Sequence, residues 1–453
     1  MSSPPPTQTV KLAASHSGLD TNVQFVDLQF TDVTGTLKSV VLPARQLAET
    51  LDYGHWFDGS ALEGAARSME TDLLLRPDLS TWAVLPWLGP GGERTARVLC
   101  DVQTPDETPF PADPRAVLRR VLADAADTGY EFHAAAEVEF FLFRGRPATH
   151  APPAGGRGSR PADRGGYFDL SPESDAHFRD EVVQTLDRLG VAVEASHHEI
   201  GPGQHELDLP LLPALRAADA MVTCKYAVKT VARRRGLSAT FMPKPLPDVA
   251  GSGLHLAQVL LDKDGRNALA EPLDEHGLSR AGRAFIAGQL AHARAMCAVL
   301  APSVNSYKRL GRGFDAPSSI TWGHANPLAA IRVPRAQSRR QQHVELRCPD
   351  PSCNPYLALA VALAAGLDGI RQNLDTPPPV DAALASGLID ESQIEVLPAS
   401  LGEALQELEW DPVVRDALGA PVNERLLMAR EREWQEFRRQ VSPWELDRYF
   451  ESA

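Results

Sequence analysis

The sequence is short of positive charge. Its 453 residues carry 45 Lys and Arg against 59 Asp and Glu, which gives a formal net charge of −14 at pH 7. Non-specific binding to nucleic acid or anionic lipid requires a basic surface, so this balance excludes nucleic acid and membranes as general partners. Small molecules, metal ions and further copies of the chain are left as partners.

Cysteines and long apolar runs are also scarce. The five cysteines are odd in number and lack the paired spacing of a metal site, which argues against a disulfide framework and a zinc ribbon. The longest apolar run, 357–367, is shorter than the roughly 20 residues of a membrane span and predicts a buried helix. The first 18 residues lack the apolar core of a signal peptide. We therefore expect a soluble cytoplasmic protein with free, buried thiols.

Strand-like and helix-like segments follow one another without strict βαβ alternation, which predicts the α+β class. Residues 1–20 are expected to form a flexible tail. The strand-rich stretch 21–107, with a hairpin around Gly35, predicts a small first domain. A larger domain is expected over 113–453. Within it, the segment 144–166 is rich in Pro, Gly and Arg and predicts a long surface loop.

The alternating segment 130–143 places two carboxylates on one face of a predicted strand. Alternate residues of a strand point to the same face, so Glu137 and Glu139 are expected on the face opposite the apolar face that contains Val138. Their separation along the strand is about 7 Å. Such a pair can bind two neighbouring divalent cations. A solvated strand face with incidental charges is the alternative interpretation.

A second acidic pair belongs to a predicted hairpin. One strand ends at Glu199, a Gly-Pro-Gly turn at 201–203 reverses the chain, and Glu206 opens the returning strand. Two carboxylates brought close together repel each other unless a cation neutralises them, so a metal site is one interpretation. A surface hairpin with incidental charges is the other.

Three further segments supply a histidine, an acid and arginines. His255 begins an apolar strand, where a lone histidine is more often structural than a metal ligand. Arg309 lies in the cationic segment 305–317, and alternation puts Glu345 and Arg347 on one strand face. Arginine binds carboxylates and phosphates through parallel hydrogen bonds. Acids for metals together with arginines for anions indicate phosphoryl transfer or carboxylate activation.

Eight motifs occur in a recognisable order along the chain. They are FDGSALEG (57–64), AAEVEFFLF (135–143), GGYF (165–168), HHEIGPGQHELD (197–208), FMPKP (241–245), GSGLH (251–255), NSYKRL (305–310) and ELRCPDPSCNPYLALA (345–360). Together they resemble the glutamine synthetase family of the bacterial type, from about residue 23 to the C-terminus. The resemblance implies a small N-terminal β-grasp-like domain, a large α+β catalytic domain and a homododecamer with active sites between subunits.

The resemblance also implies a reaction and its metals. ATP would phosphorylate the γ-carboxylate of glutamate, and ammonia would then displace the phosphate to form glutamine. Two divalent cations, Mg²⁺ or Mn²⁺, would offset the charge of the two anions brought together. The ligands implied for the first cation are Glu139, Glu199 and Glu206. Those implied for the second, beside the nucleotide phosphates, are Glu137, His255 and Glu345.

The remaining residues implied by the resemblance bind the acid and the amine. Glutamate or the transferring phosphoryl group would contact Gly251, Arg309 and Arg347, with Arg309 counted among the catalytic residues. The ammonium site would consist of Tyr167, Glu199 and the catalytic Asp58, the last supplied by a neighbouring subunit. Asp315 would be the catalytic acid of a flap, where the family has a glutamate that is one methylene longer. This shorter acid leaves a roomier pocket, so a γ-glutamyl-amide ligase that uses a larger amine is an alternative.

The nucleotide side departs from the family. Side chains that usually contact ATP are replaced at Ala257, Val259, Pro327 and His343. The candidate nucleotide-binding residues are Arg332, Arg340 and His343. Each missing charge-assisted hydrogen bond costs on the order of 1.5 to 3 kcal/mol, which raises a further alternative, a paralogue without ligase activity. Compensation by Arg335, Arg339 or Arg340 is the opposing expectation.

Overall fold

The computed structural model describes residues 22–62, 72–145, 160–170, 173–311, 316–336, 338–381, 392 and 394–452. Three sequence predictions lie wholly or partly outside these ranges. They are the tail at 1–20, the flap acid Asp315 and the greater part of the loop at 144–166. The end of that segment, Arg160–Pro161, is a short strand paired with Phe143 and Arg144 instead of part of a loop.

The N-terminal part of the chain forms a six-stranded sheet. Its strands are β1 Phe25–Thr31, β2 Leu37–Pro43, β3 His55–Asp58, β4 Asp72–Pro77, β5 Ala83–Val84 and β6 Thr95–Gln103. The order is β2-β1-β6-β4-β3, with β5 on β6, and β1 runs parallel to β6. The predicted hairpin is confirmed, because β1 and β2 pair antiparallel around Gly35, whose φ of +83° suits glycine. Inward residues such as Val26, Leu28 and Val98 form a core of their own.

The rest of the chain is organised around a nine-stranded, mostly antiparallel sheet. Its strands are β7 Glu131–Arg144, β8 Arg160–Pro161, β9 Ala195–His198, β10 Gln204–Pro213, β11 Leu237–Thr240, β12 Leu254–Leu261, β13 Ser319–Gly323, β14 Ala329–Arg332 and β15 Val344–Leu346. The order is β13-β14-β15-β12-β7-β10-β9, and β8 and β11 also pair with β7. The long strand β7 is therefore central, with β10 on one side and β12 on the other.

Helices pack on one face of this sheet and on one another, and the first helix packs on β4 of the N-terminal sheet. In the described residues they are α1 Leu47–Tyr53, α2 Pro114–Asp127, α3 Glu173–Arg188, α4 Ala214–Arg234, α5 Arg280–Ala291, α6 Ala293–Leu300, α7 Ser306–Arg309, α8 Pro355–Gln372, α9 Leu401–Trp410, α10 Pro412–Leu418, α11 Ala420–Arg438 and α12 Pro443–Tyr449. Helices α2 and α4 pack on β7, and α8 packs behind them. The apolar run 357–367 is the buried centre of α8, as predicted. The mixture of sheets and separate helices confirms the α+β class.

A buried arginine joins the first sheet to these helices. The guanidinium of Arg115 on α2 donates to Asp219 of α4 at 3.0 and 3.1 Å and to Asp78 at 2.7 Å, and it also pairs with Asp101 of β6. Tyr356 of α8 donates its hydroxyl to the same Asp219 at 2.7 Å. Because a buried charge is tolerated only when it is paired, this network fixes the position of the first sheet on the helices.

None of the helices in the described ranges is long and apolar enough to cross a membrane. All five cysteines fall within those ranges, and each is buried and free, as the sequence predicts.

Candidate active site

The open face of the nine-stranded sheet carries a row of acids whose positions follow from strand register. On β7, Val138 is buried beneath the helices while Glu137 and Glu139 point to the opposite face. Glu139 lies directly opposite Glu206 on β10, and Glu137 lies directly opposite His255 on β12. Directly opposed residues share a face of the sheet, so antiparallel pairing gathers residues that are far apart in sequence.

One cluster on this face consists of Glu137, His255 and Glu345. One ligand atom from each lies within 4.8 Å of the others. His255 Nδ1 is 2.9 Å from Glu137 Oε2 and 3.7 Å from Glu345 Oε1. Two arginines, Arg332 and Arg347, contact the Glu345 carboxylate at 3.2 and 3.4 Å. The three residues that the sequence assigns to one cation are thus side by side.

A neighbouring cluster groups Glu199 and Glu206 with His197. His197 Nε2 lies 3.9 Å from Glu199 Oε1 and 3.8 Å from Glu206 Oε1. Glu139, which the sequence assigns to the same cation, lines the same cavity and accepts a 2.8 Å hydrogen bond from Gln204 Nε2. Sequence reasoning missed His197 and Gln204, although both belong to the motif HHEIGPGQHELD that carried the prediction.

Crowding of the acids changes their proton affinity. Burial, followed by the charge of Glu139, raises the pKa of Glu199 to about 7. Burial and then the charges of Glu139 and Glu137 raise the pKa of Glu206 to about 11. Burial also acts to raise the pKa of Glu137, but the hydrogen bond with His255 and nearby positive charges outweigh it and the net shift is downward. The cluster around Glu206 thus cannot hold its full negative charge without added positive charge.

A cavity of about 300 Å³ lies between the two clusters, and the predicted substrate-binding residues line its wall. Among the described residues its lining includes Glu137, Glu139, Tyr167, Glu199, Glu206, Gly251, His255, Arg309, Arg332, Glu345 and Arg347. Arg309 is almost fully buried, and it donates to the carbonyl oxygens of Arg347, Cys348 and Pro349 at 3.0 to 3.1 Å. It therefore fixes the chain that follows β15 as well as facing the cavity.

Glycine is required where the backbone passes close to this cavity. A Cβ on Gly253 would lie 2.7 Å from Arg309 Nη2, 2.9 Å from His255 Nε2 and 3.0 Å from Glu139 Oε1. These separations are shorter than van der Waals contact, so a side chain here would displace the groups that line the cavity. The Gly-Ser-Gly turn thus brings its backbone close to Arg309, His255 and Glu139.

An aromatic group forms the rim of the cavity beside Glu199. The rings of Tyr167 and Phe168 are 4.2 Å apart, and Phe168 meets His197 edge-on at 4.5 Å. Phe168 adopts a positive φ of 58°, an unfavourable backbone conformation for an aromatic residue. The strain holds both rings at the rim, where they are more than half exposed.

A second cavity of about 610 Å³ adjoins the first, and Glu137 and His255 line both. Its described lining also includes Glu194, Asp208, Ala257, Val259, Arg335, Arg340 and His343. Two of the predicted nucleotide residues, Arg340 and His343, are therefore here, whereas Arg332 lines the first cavity. Arg335 lines this cavity too, but Arg339 does not, since its guanidinium donates to the carbonyl oxygen of Ala270.

Asp58 is a predicted catalytic residue that the structure places away from both cavities. Asp58 ends β3 in the first sheet, where its carboxylate accepts from the backbone N–H of Ser60, and it is not among the described residues lining either cavity. Asp315 lies outside the described residues. Pro327, a departure on the nucleotide side, lines the first cavity, and its carbonyl oxygen accepts from Arg347 Nη1 at 2.8 Å.

Comparison with known proteins and protein families finds matches over nearly the whole length of the chain. Residues 22–105 match the family described as "Glutamine synthetase, beta-Grasp domain", and residues 111–449 match "Glutamine synthetase, catalytic domain". The chain is 45% identical over 439 residues to the glutamine synthetase of Thermus thermophilus, covering 94% of this chain and 96% of the relative. It is 44% identical over 436 residues to that of Thermotoga maritima, with the same coverage.

Two solved structures resemble the fold closely. One is described as "GmaS/ADP complex-Conformation 1", with a TM-score of 0.82, 33% identity and coverage of 94% of this chain and 97% of the other. The other, "Apo GmaS without ligand", has a TM-score of 0.81, 33% identity and coverage of 95% and 97%.

Proposed function

The chain belongs to the glutamine synthetase family, and from this membership we propose that its two adjoining cavities divide the substrates of one ligase reaction. The protein is an ATP-dependent ligase that forms glutamine from glutamate and ammonia. Glutamate and the amine occupy the 300 Å³ cavity, and the nucleotide occupies the 610 Å³ cavity. The terminal phosphoryl group then lies at the common wall formed by Glu137 and His255.

The acids and the histidine that line the 300 Å³ cavity fit two divalent cations, Mg²⁺ or Mn²⁺. One cation would be held by Glu137, His255 and Glu345, and the other by Glu139, Glu199 and Glu206, with His197 adjacent to the latter. The raised pKa of Glu206 supports this assignment, because a buried carboxylate that is crowded by four other acids is stable as an anion only beside positive charge. When bound, the cations neutralise the phosphate and carboxylate charges that the reaction brings together.

The arginines position the acid substrate. Arg347 contacts Glu345 through Nε and a backbone carbonyl through Nη1, so its guanidinium is fixed at the cavity wall. Arg309 is fixed in the same way by three carbonyl oxygens. Both are thereby preorganised to bind a carboxylate or the transferred phosphoryl group without reordering. The Gly251 carbonyl oxygen, which accepts from Gln204 Nε2, lies beside them and completes the glutamate site.

The amine is bound at the rim beside Glu199. Once the γ-carboxylate oxygen has taken the phosphoryl group from ATP, releasing ADP, the amine nitrogen attacks the acyl carbon and phosphate leaves. Glu199, with Tyr167 close by, attracts the ammonium ion. Asp58 of a neighbouring subunit and Asp315 on the flap each accept one of the two protons that the nitrogen loses, the first when the ammonium ion becomes nucleophilic ammonia and the second after the attack. Because Asp58 lies in the first sheet, away from the described lining of both cavities, this role requires an oligomer in which single chains are inactive, and the family resemblance implies a homododecamer.

The nucleotide is bound by Arg340, His343 and Arg332, and Arg335 takes over the role of the polar side chains that the family has at positions 257 and 259. Arg335 supplies a positive charge to a cavity where the Ala257 and Val259 side chains are apolar.

The two sheets correspond to separate domains over 21–107 and 113–453. The free, buried cysteines are consistent with a reducing compartment, for which we propose the cytoplasm.

The single observation that carries this function is the pair of acid clusters on either side of one cavity. The test is a phosphate-release assay with glutamate, ammonia and Mg-ATP. Glu345→Gln removes a cluster residue and is expected to lower activity at least about tenfold. Glu131→Gln, on the same sheet but with an exposed side chain, is the matched control and is expected to retain it. Equal activity in both variants would contradict the proposal.

A larger amine is the second candidate acceptor, because the rings of Tyr167 and Phe168 offer an apolar surface beside Glu199. The same assay with ammonia, methylamine, ethanolamine and polyamines separates the candidates. A higher kcat/KM for an organic amine would identify a γ-glutamyl-amide ligase. The third candidate, a paralogue without ligase activity, predicts no phosphate release with any amine.

A further inference from the structure

A third cavity, of about 540 Å³, lies behind the wall of the nucleotide-side cavity. It is enclosed by the segments 270–277 and 334–342 together with His324. Arg335 and Ala336 line both this cavity and the nucleotide-side cavity. We name it the rear cavity. The proposed ligase reaction does not require it.

The rear cavity contains more positive charge than its acids neutralise. Arg335 has no hydrogen bond or ion pair to any described residue, and Arg339 donates only to the carbonyl oxygen of Ala270. Of the two acids in the lining, Asp274 is paired with an arginine, and Glu275 has a largely exposed side chain. Asp274 Oδ2 accepts from Arg283 at 2.6 Å, and Glu275 Oε1 lies 3.1 Å from His276 Nε2. Two guanidinium groups are therefore available for an added anion.

The histidines of the rear cavity are held in one arrangement. His324 donates from Nδ1 to the carbonyl oxygen of Val333 at 2.8 Å, so its Nε2 accepts from His276 Nδ1 at 3.0 Å. Trp322 packs edge-on against His276 with ring centroids 5.4 Å apart. The two imidazole rings on this side of the cavity are therefore held by their neighbours.

A buried donor in the rear cavity lacks an acceptor. Gln342 is only 5% exposed, and its Nε2 has no hydrogen-bond partner among the described residues, although its backbone carbonyl accepts from Asn267. The side chain lies against Gly277, whose φ of +71° lets the chain turn tightly there. An unsatisfied buried amide is costly, and the cavity beside Gln342 has room for a group that accepts its hydrogen bond.

We propose that the rear cavity binds a small oxyanion, a phosphate or a carboxylate, through Gln342 Nε2 and the guanidinium groups of Arg335 and Arg339. Because Arg335 also faces the nucleotide-side cavity, the anion alters nucleotide affinity, and by linkage the nucleotide alters anion affinity by the same factor. The binding of the anion is independent of the proposed ligase function. The coupling alone depends on the nucleotide occupying the 610 Å³ cavity.

Calorimetric titration of the full chain tests the binding. Inorganic phosphate and succinate are titrated separately, with and without saturating Mg-ADP, and the arm that binds more tightly identifies the source of the oxyanion. We expect one saturable site per chain. Gln342→Met removes the donor and is expected to weaken binding by about tenfold or more. Arg335→Ala, which breaks no hydrogen bond or ion pair among the described residues, is expected to do the same.

Two control variants determine where the anion binds. Arg340→Ala removes an arginine from the nucleotide-side cavity only, and Arg266→Ala removes an exposed arginine elsewhere. Both are expected to keep the wild-type affinity for the anion within about twofold, since neither residue contacts the rear cavity. The absence of saturable binding, or an equal weakening in Arg340→Ala, would overturn the proposal.

The coupling is measured as the Kd of ADP with and without the saturating anion. A change of about fivefold or more is expected in the wild type and none in Arg335→Ala. An unchanged Kd in the wild type would overturn the coupling. If ADP does not bind at all, the proposed ligase function fails, while the anion titrations without nucleotide still decide whether the rear cavity is a binding site.

Discussion

His255 Nδ1 lies 2.9 Å from Glu137 Oε2, and the two residues are directly opposed on β12 and β7. The contact depends on register, because a shift of one residue would turn either side chain to the helix-covered face. The same pairing leaves Glu345 on β15 within 3.7 Å of the imidazole. The cluster is therefore a product of three antiparallel strands, and its chemistry is tied to the stability of the sheet.

The metal-free protein is expected to lose stability as the pH rises. An unfolded glutamate has a pKa of about 4.3, whereas the folded pKa is about 7 for Glu199 and about 11 for Glu206. Because the pKa of each acid is higher in the folded state, its protonation stabilises the folded protein fully below about pH 4. This stabilisation is lost as the pH rises towards the folded pKa. The loss is up to roughly 1.4 kcal/mol per pH unit for Glu206.

Thermal unfolding in EDTA between about pH 6 and 9 measures this effect. We expect Tm to fall with pH in EDTA, to fall less with Mn²⁺ present, and to depend less on pH in Glu206→Gln. A pH dependence that neither Mn²⁺ nor the substitution changes would show that the acid cluster is not its source.

Gly253→Ala is expected to impair activity while leaving the fold intact. The added methyl group would lie less than 3 Å from Arg309 and His255 and must displace side chains of both the metal and glutamate sites. Gly311→Ala is the control, because a Cβ there would meet no described atom within 4 Å and its φ is not in the left-handed region. Steady-state kinetics and circular dichroism of both variants provide the comparison. Wild-type kinetics in Gly253→Ala would show that the cavity tolerates the displacement.

Arg115→Met is expected to destabilise the protein by about 3 to 5 kcal/mol, because it leaves buried Asp219 without its cation. Arg119→Ala is the matched control. Arg119 contacts the same Asp78 and Asp101, but its side chain is 44% exposed, so a loss of about 1 kcal/mol or less is expected. Urea denaturation of the two variants checks the difference. Similar losses of unfolding free energy in the two variants would mean that solvent screens all the ion pairs of this network.

Restoring the family's polar residues is expected to strengthen nucleotide binding. Both Ala257 and Val259 line the nucleotide-side cavity, so Ala257→His with Val259→Ser returns two hydrogen-bonding groups to it. We expect about a tenfold lower Kd for Mg-ATP. Val41→Ser, at an exposed position in the first sheet, is the control. An unchanged Kd would indicate that Arg335 already compensates fully.

Local patterns in the sequence were sufficient for the α+β class, the hairpin at Gly35 and the orientation of Glu137 and Glu139, because strand alternation is a local property. Strand order, in contrast, depends on pairing between segments that are distant in sequence. No local pattern could therefore show that His197 stands beside Glu206, or that Gln204 reaches Glu139 on the neighbouring strand. The family resemblance supplied the groupings of ligands that spacing alone left open.

The cavities were the least predictable feature. Their walls combine residues that are distant in sequence, and Arg335 lines both the nucleotide-side and the rear cavity whereas Arg339, four residues later, lines only the rear cavity. Burial of the Arg309 guanidinium against three backbone carbonyls likewise depends on the close approach of α7 to the chain after β15. Such approaches result from tertiary packing, and no local pattern encodes them.

Titration of Mn²⁺ into metal-depleted protein tests the two-cation site most directly. We predict two ions per chain for the wild type and one for His255→Ala, with two retained in His133→Ala, a histidine on the same sheet whose imidazole bonds Glu131. Fewer than two ions in the wild type, or an unchanged number in His255→Ala, would contradict the account.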